Sequence, residues 1–410
     1  MPSLSRRDDP SGFRFGIEEE YFVVDRRTGG IRAEMSAEFL GQLKKSLGSQ
    51  VMTEMLQCQL EVATAPTHSP EAARQQLIEF RQAITHAGKP FDAGIIAAGT
   101  HPSAKGSQMH RTRKRRYDKV ISDLRMIGTT NVLSGLHVHV ELPDPDRRVQ
   151  VMYRMIPYLH LFIALSASSP FWEGQDSGLV SYRSVGNKML PRSGLPELFK
   201  TLEDYSAYVA ALVDSRVIPD ASYIWWGLRP SLQHPTLELR VMDSCTSVDD
   251  AVALASLYRC LIRHLCLDDR MHEGLTPIDR AIADENTWRA ARYGTGATFI
   301  DRQSGAIPFR QELGRVLQLV EDDADALGIG DELARIRAIP QRGTSAQRQV
   351  GISKATLETG RTSSFAIREV VRWLRLSTEL GLLVTSDTPT AEPGFGRPAG
   401  PSPELETAET

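Results

Sequence analysis

The chain has 410 residues, a formal net charge of −3 at pH 7, 24% charged residues and 41% hydrophobic ones. Those are globular values, and the slightly acidic balance argues against bulk nucleic-acid binding. No apolar run approaches the ~18 to 20 residues of a membrane span. The four cysteines (Cys58, Cys245, Cys260, Cys266) lack CxxC spacing and fit a reducing cytosol better than a disulfide framework.

Residues 1–12 carry a basic pair with no apolar core behind it and read as a mobile lead-in. Over 13–24, Phe13, Phe15, Ile17, Tyr21 and Val23 alternate at the two-residue period of a half-buried strand. Glu18 and Glu20 then share the opposite face, and Glu19 is left on the apolar side. Strands deplete glutamate, and same-face carboxylates repel. A fold carries this pattern if that face is solvated, or if a cation sits between the acids. Helical spacing follows over 37–47 and 70–87, with a strand at 56–64 between them. In that strand Cys58, Leu60 and Val62 oppose Gln57, Gln59 and Glu61. After a strand at 93–99 comes the basic run from Arg111 to Tyr117, balanced by Asp118 and Asp123. It reads as a solvated helix start or a lid, not an RNA site.

The strand at 134–141 sets His137, His139 and Glu141 against Val138 and Val140. Helices are expected over 147–167 and 195–213, and Trp225-Trp226 reads as sheet-edge packing or a substrate wall. The strand at 236–243 places Glu238 and Arg240 opposite Leu237, Leu239 and Val241. Beyond Asp249 the pattern is helical, over 252–267, 277–293, 308–327 and 362–383. Cys260, His264 and Cys266 sit among Leu257, Leu261, Ile262 and Leu265, the pattern of a packed helix and not of a zinc cluster. Glu285, Arg289 and Arg292 have the spacing of helical charge pairs. From 387 to 410 the chain is rich in Pro, Thr, Gly and Glu and is expected to be a disordered tail behind a single catalytic domain at 13–386. Strands early and helices late predict an α+β fold, a curved antiparallel sheet with a polar active-site face backed by helices.

Four strands whose polar faces carry Glu, Gln, His and Arg point to one shared polar surface. Carboxylates and imidazoles on separate strands can ring a divalent cation, and an oxygen-rich set favours magnesium or manganese. Glu18, Glu20, Glu61, His137 and Glu238 are the candidate metal ligands. Arg240, two residues after Glu238, either pairs that carboxylate or stabilises transferring phosphoryl oxygens. The His137/His139 pair also leaves open a metal-dependent amidohydrolase. No GxxxxGK[ST] loop exists, and Gly294-Thr295-Gly296 follows a helix rather than a strand, which makes a poor dinucleotide motif.

The segments FGIEEEY (15–21), QLEVAT (59–64), GTHP (99–102), GLHVH (135–139), SASSPFWEGQDSGLVSYRS (166–184), WWGLRP (225–230), LELRVMD (237–243) and ENTWRAARYG (285–294) run in order over about residues 13–375. Together they resemble the glutamate–cysteine ligase type 2 family of ATP-dependent carboxylate–amine ligases, relatives of glutamine synthetase. The resemblance implies ATP bound with magnesium or manganese ions, phosphoryl transfer to a substrate carboxylate, and attack of an amine on the acyl phosphate. It puts His137 at a metal-ligand position, His139 and Arg229 at the nucleotide, and Arg183 and Arg240 in catalytic contact with substrate or phosphoryl oxygens. It further implies glutamate and cysteine as nominal substrates, a cytoplasmic homo-oligomer (a dimer), and no nucleic-acid or membrane partner. A nucleotide-binding regulatory module without turnover is a further reading. Two positions depart from the family pattern and bear on substrate preference. Gly227 stands where an acidic residue is common before Leu228-Arg229-Pro230, and Pro235 replaces a glycine before the Glu238 strand.

Overall fold

The computed structural model describes residues 12–130 and 132–384. The expected tail at 387–410 and all of the expected lead-in except Gly12 lie outside the described residues. Seven strands form one antiparallel sheet: β1 (Phe15–Asp25), β2 (Val51–Thr53), β3 (Gln59–Ala63), β4 (Ala93–Ile96), β5 (Gly135–Glu141), β6 (Leu228–Pro230) and β7 (Thr236–Asp243). Their order is β6-β7-β5-β1-β3-β2, with β4 paired to the later part of β1. The α+β architecture expected from the sequence, an antiparallel sheet backed by helices, is the one formed.

β1 explains the layering. Phe15, Ile17, Glu19 and Tyr21 face inward, while Gly16, Glu18 and Glu20 face the other way. From Tyr21 to Val24 every residue is buried. There Phe22 and Val24 join Ile96, Val370 and Leu374 in a second apolar cluster, under the helix Ser363–Leu380. The sheet is thus covered on both faces at one end and open on one face at the other. The main cluster lies on the inner face, where the helix Val248–Leu267 buries Val252, Leu254, Leu261 and Leu265.

Glu19 sits wholly within this core. Arg81, from the helix Pro70–Gly88, meets it with two nitrogens, Nη2 to Oε1 at 2.7 Å and Nε to Oε2 at 3.1 Å. The Tyr21 hydroxyl also donates to it. Arg81 spends its other donors on the carbonyls of Cys245 and Thr246, each at 2.7 Å. One buried ion pair therefore ties β1, a helix and the turn leaving β7 together.

Other elements depart from expectation, one of them at a proline. The expected helix 147–167 is two helices, Pro145–Met155 and Leu159–Ser166, split by a 3₁₀ turn at Ile156–Tyr158 that holds Pro157. Proline lacks the N–H and its ring blocks the preceding turn. The expected helix 195–213 begins only at Leu202, and 308–327 breaks at Val320. Helices Tyr182–Asn187, Gly330–Arg342 and Ser345–Glu358 were among those unread. His264 pairs with Asp323 at 2.9 Å and Cys260 is buried in a packed helix, so the Cys260/His264/Cys266 group is structural. Arg289 donates to the Thr298 carbonyl and lies over the Tyr293 ring.

Candidate active site

Strand register assembles the polar face. Antiparallel pairing sets Glu20 opposite Glu61, Glu18 opposite His137, His139 opposite Glu238, and Glu238 opposite Arg229. Directly opposed residues share a face, so five strands deliver acids, imidazoles and arginines to one surface. Two three-residue groups result, Glu18/His137/Glu238 and Glu20/Glu61/His137, each with its ligand-type atoms within 4.8 Å of one another. His137 belongs to both. Its Nδ1 lies 3.3 Å from Glu18 Oε2 and its Nε2 3.7 Å from Glu20 Oε1.

Neither group contains His139. That ring lies 3.3 Å from Glu18 Oε1, 4.0 Å from Glu238 Oε1, and 2.9 Å from Thr236 Oγ1 through Nδ1. A His-x-His zinc centre needs both rings on one ion. The geometry therefore lends the amidohydrolase reading nothing.

Charges on this face are unevenly matched. Burial pushes the Glu238 carboxyl up, but Arg240 and Arg229 outweigh it and hold the group well below the usual carboxylate range. Arg229 reaches it with Nε at 2.8 Å and Nη2 at 3.3 Å, and Arg240 contacts the same carboxylate. Glu18 is also held low, since hydrogen bonds from His137 and His139 overcome its burial. Glu20 behaves oppositely. Burial and the Glu54 carboxylate raise it to about 7, against the pull of Arg183. Glu61 is raised well above its ordinary value by burial and then by Glu54, Glu18 and Glu20. Burial and Arg240 lower His137 to about 4, which keeps its ring neutral near pH 7. Four carboxylates and a neutral imidazole, two of the acids crowded without a matching cation, fit a hard divalent ion of the magnesium or manganese kind.

Arg240 owes its position to a bulge. On β7 the register steps three residues from Leu239 to Met242, while β5 steps two from Val138 to Leu136. The Arg240 N–H bonds Gly227 O at 2.7 Å instead of β5. Bulges of this kind re-aim side chains beside functional sites. Arg183, from the helix Tyr182–Asn187, is buried against the start of β5. A Cβ at Gly135 would come within 2.2 Å of Arg183 Nη2, so glycine is what admits the guanidinium. Nη2 donates to the Arg240 carbonyl at 3.2 Å, and Nη1 has no hydrogen-bond partner.

Two adjoining cavities, about 210 and 400 Å3, meet at this face and share Glu20, Glu54, His137, Trp225 and Arg240. The smaller is lined by Arg183 and the larger by His139, Arg229 and Glu238, so the structure brings all nine candidate residues to one bipartite site. Arg116 and Tyr117 line the larger cavity from the helix Arg115–Leu124. Lys114 and Tyr117 tether that segment to Thr53 O at 3.0 and 3.3 Å. The basic run thus forms a wall of the site. Trp226 stacks on Tyr208 in a short strand paired with Ser193–Gly194 outside the main sheet, and Trp225 lines both cavities. Glu54, unread in the sequence, follows a three-residue strand too short to display a period.

The description "Glutamate-cysteine ligase family 2" matches residues 14–361. The chain belongs to that family. It is accordingly an ATP-dependent ligase that makes an amide bond. It is 45% identical over 403 residues to a Bradyrhizobium diazoefficiens protein provisionally named glutamate–cysteine ligase 2, covering 97% of this chain and 93% of that one. A like-named Rhodospirillum rubrum protein is 38% identical over 371 residues, covering 89% and 95%. The fold resembles that of a Francisella tularensis glutamate–cysteine ligase crystallised with AMP. That match has a TM-score of 0.66 and 15% identity, covering 92% of this chain and 96% of the other. A bifunctional glutathione synthetase from Pasteurella multocida matches equally well, with a TM-score of 0.66 and 15% identity over 90% of this chain. This ligase chain spans 53% of that larger protein. Among the described residues no helix is long and apolar enough to cross a membrane.

Proposed function

We propose that this ligase activates a small-molecule carboxylate with ATP as an acyl phosphate, which an amine then attacks, with glutamate and cysteine as the nominal pair. Glu18, Glu20, Glu61, His137 and Glu238 hold the magnesium or manganese ions that accompany ATP. The observation that carries this is the pair of ligand groups hinged on His137, set where two cavities meet. Such cations neutralise phosphate charge and steady the leaving oxygens.

Around them the protein's own groups take distinct parts. Glu18 and Glu238 are held ionised by their neighbours, so they are ready to bind a cation across the neutral range. Arg240 borders both cavities and clamps the transferring phosphoryl oxygens while keeping Glu238 in place. Arg229 and His139, which line only the larger cavity, serve the nucleotide. Arg183, lining only the smaller, offers its unmet N–H to the substrate carboxylate. Residues 13–386 act as one catalytic domain, a view supported by a single apolar cluster running from Phe15 to Ile339. Free cysteines, three of them buried, support a cytoplasmic setting.

The test follows an oxygen atom. With an 18O-labelled carboxylate substrate, an acyl-phosphate route delivers one labelled oxygen to the released phosphate. Phosphate free of label, or AMP formed in place of ADP, removes that route. Activity unaffected by exhaustive chelation of divalent cations removes the metal role.

A further inference from the structure

We infer that Asp243 is a positioning residue for Arg183, balancing the guanidinium charge without taking its N–H donors, so that Nη1 stays free for the substrate carboxylate. This assignment rests on the reading that Arg183 meets that carboxylate in the smaller cavity. Both side chains are buried, Asp243 completely. Strand pairing sets Asp243 directly opposite Gly135. Opposed residues carry their Cβ atoms about 4.5–5.5 Å apart. At Gly135 that place is held by the Arg183 guanidinium, since a Cβ there would lie 2.2 Å from Nη2. Acid and cation are therefore neighbours across one strand pair.

Asp243 does not grip Arg183, because its oxygens are already engaged. Oδ2 accepts the Ser168 N–H at 2.9 Å and the Ser169 hydroxyl at 2.6 Å, and Oδ1 accepts the Ser181 hydroxyl at 2.8 Å. The same hydroxyls fix the segment that carries Arg183. Ser169 Oγ accepts the Arg183 backbone N–H at 3.2 Å, and Ser181 caps the helix Tyr182–Asn187. Gly99 leaves the room for this cluster, since a Cβ there would lie 2.6 Å from Asp243 Cγ and 2.8 Å from Ser169 Oγ.

The result is a balanced charge with a donor to spare. Arg81 spends two nitrogens on Glu19. Arg183 spends Nη2 on the Arg240 carbonyl at 3.2 Å, and Nη1 has no partner. Burial lowers the Arg183 pKa from its usual value, and Asp243 opposes that most, ahead of Glu20. With the Asp243 charge gone, Glu20 is the counter-charge that remains, and it belongs to the acid cluster. A guanidinium drawn toward Glu20 turns away from the substrate carboxylate. An unmatched buried cation is costly enough to drive that turn.

Charge can be removed here without changing shape. The Ser168 N–H and the Ser169 hydroxyl both use Oδ2, so in Asp243→Asn the amide oxygen takes that place. Its NH2 then faces Ser181, whose hydroxyl turns to Ser184 Oγ at 2.7 Å. ADP release is measured with MgATP, glutamate and hydroxylamine, a small general amine. Asp243→Asn should raise KM for glutamate about 10-fold, the scale of one misplaced hydrogen bond to a charged group, with kcat within about threefold. KM for ATP should stay within about twofold. Ser169→Ala keeps both charges and removes the hydroxyl that links them, and it should move KM the same way by about threefold. In an Arg183→Met background, Asp243→Asn should change kcat/KM by less than about twofold, because a residue that acts only through another has nothing left to lose. Parental KM for glutamate in both Asp243→Asn and Ser169→Ala, with Arg183→Met impaired, overturns the positioning role and leaves the ligase reading standing. An equal loss from Asp243→Asn with and without Arg183 overturns it as well. Parental KM for glutamate in Arg183→Met takes Arg183 off the carboxylate, and this assignment falls with it. No ADP release from the parent removes glutamate as the carboxylate, and both readings fall.

Discussion

Glu19 and Glu20 are adjacent on one strand, and their carboxylates live in opposite worlds. On the inner face Glu19 has a matched cation, since Arg81 takes both of its oxygens and Tyr21 donates to one of them. On the outer face Glu20 and Glu61 crowd against Glu54, and both are pushed up toward the protonated form. The first arrangement is finished within the chain. The second leaves its acids raised although Arg183 and Arg240 stand beside Glu20. A buried acid answered by a cation that lines neither cavity reads as structure, and acids crowded at a cavity with their pKa raised read as a site.

The sharpest way to break that contrast is to remove the inner cation. Arg81→Met leaves Glu19 buried without a counter-charge, which should cost about 3–5 kcal/mol of stability. Turnover per folded molecule should stay near the parent value. The double variant Glu19→Met/Arg81→Met should recover most of the loss, because replacing both members of a buried pair is often nearly neutral. Denaturant midpoints and active-site titration measure both. A loss under about 1 kcal/mol would remove the structural role of the pair.

On the outer face the same chemistry should report on activity and not on folding. Glu61→Gln should lower ADP release by about 10³-fold, or ~4 kcal/mol in the barrier, with the circular dichroism spectrum unchanged. Near-normal ATP turnover in this variant would take Glu61 out of the metal site.

Much of this contrast was legible in the sequence because strand alternation is a strong pattern. β1, β3, β5 and β7 each sort acids and imidazoles from aliphatics, and their register then had little freedom, since a slip of one residue would bury the acids. What stayed hidden lacked a local pattern. β2 and β6 are three residues each, and Glu54 follows one of them. Arg81 lies 62 residues from Glu19, and only the oddity of an acid on an apolar face hinted that such a cation existed. Pro157 marked the helix break in plain view. So did Thr344 and Gln347, whose capping box opens the unread helix Ser345–Glu358.

Arg240 stands between the two behaviours, pairing Glu238 as Arg81 pairs Glu19 while also facing both cavities. Arg240→Lys keeps the charge and loses the planar fork. A clamp on phosphoryl oxygens predicts kcat lower by about 10²-fold with ATP binding little changed. A purely structural pair predicts a lower melting midpoint with kcat retained. Single-turnover rates and melting curves on the same preparation decide which, and a stable variant with normal turnover ends the clamp.

The smallest effect carries the most telling sign. In the parent without divalent cations, Glu61 is buried among Glu54, Glu18 and Glu20, and burial first and those carboxylates next raise its pKa. A carboxyl whose folded pKa lies above its unfolded value of about 4.3 binds extra protons in the native state. Stability from that group is full below the unfolded pKa and drains away as pH rises through the folded one. Glutamine removes the drain. In chelator at pH 8, Glu61→Gln should therefore melt higher than the parent, by about 1 °C for each kcal/mol relieved in a domain of this length. The gain should shrink as pH falls toward the unfolded value, since the raised carboxyl takes up its proton on the way down, and magnesium should stabilise the parent more than the variant. A lower midpoint in chelator at pH 8 would show that Glu61 is satisfied as Glu19 is, and the contrast between the two faces would fail at its central residue.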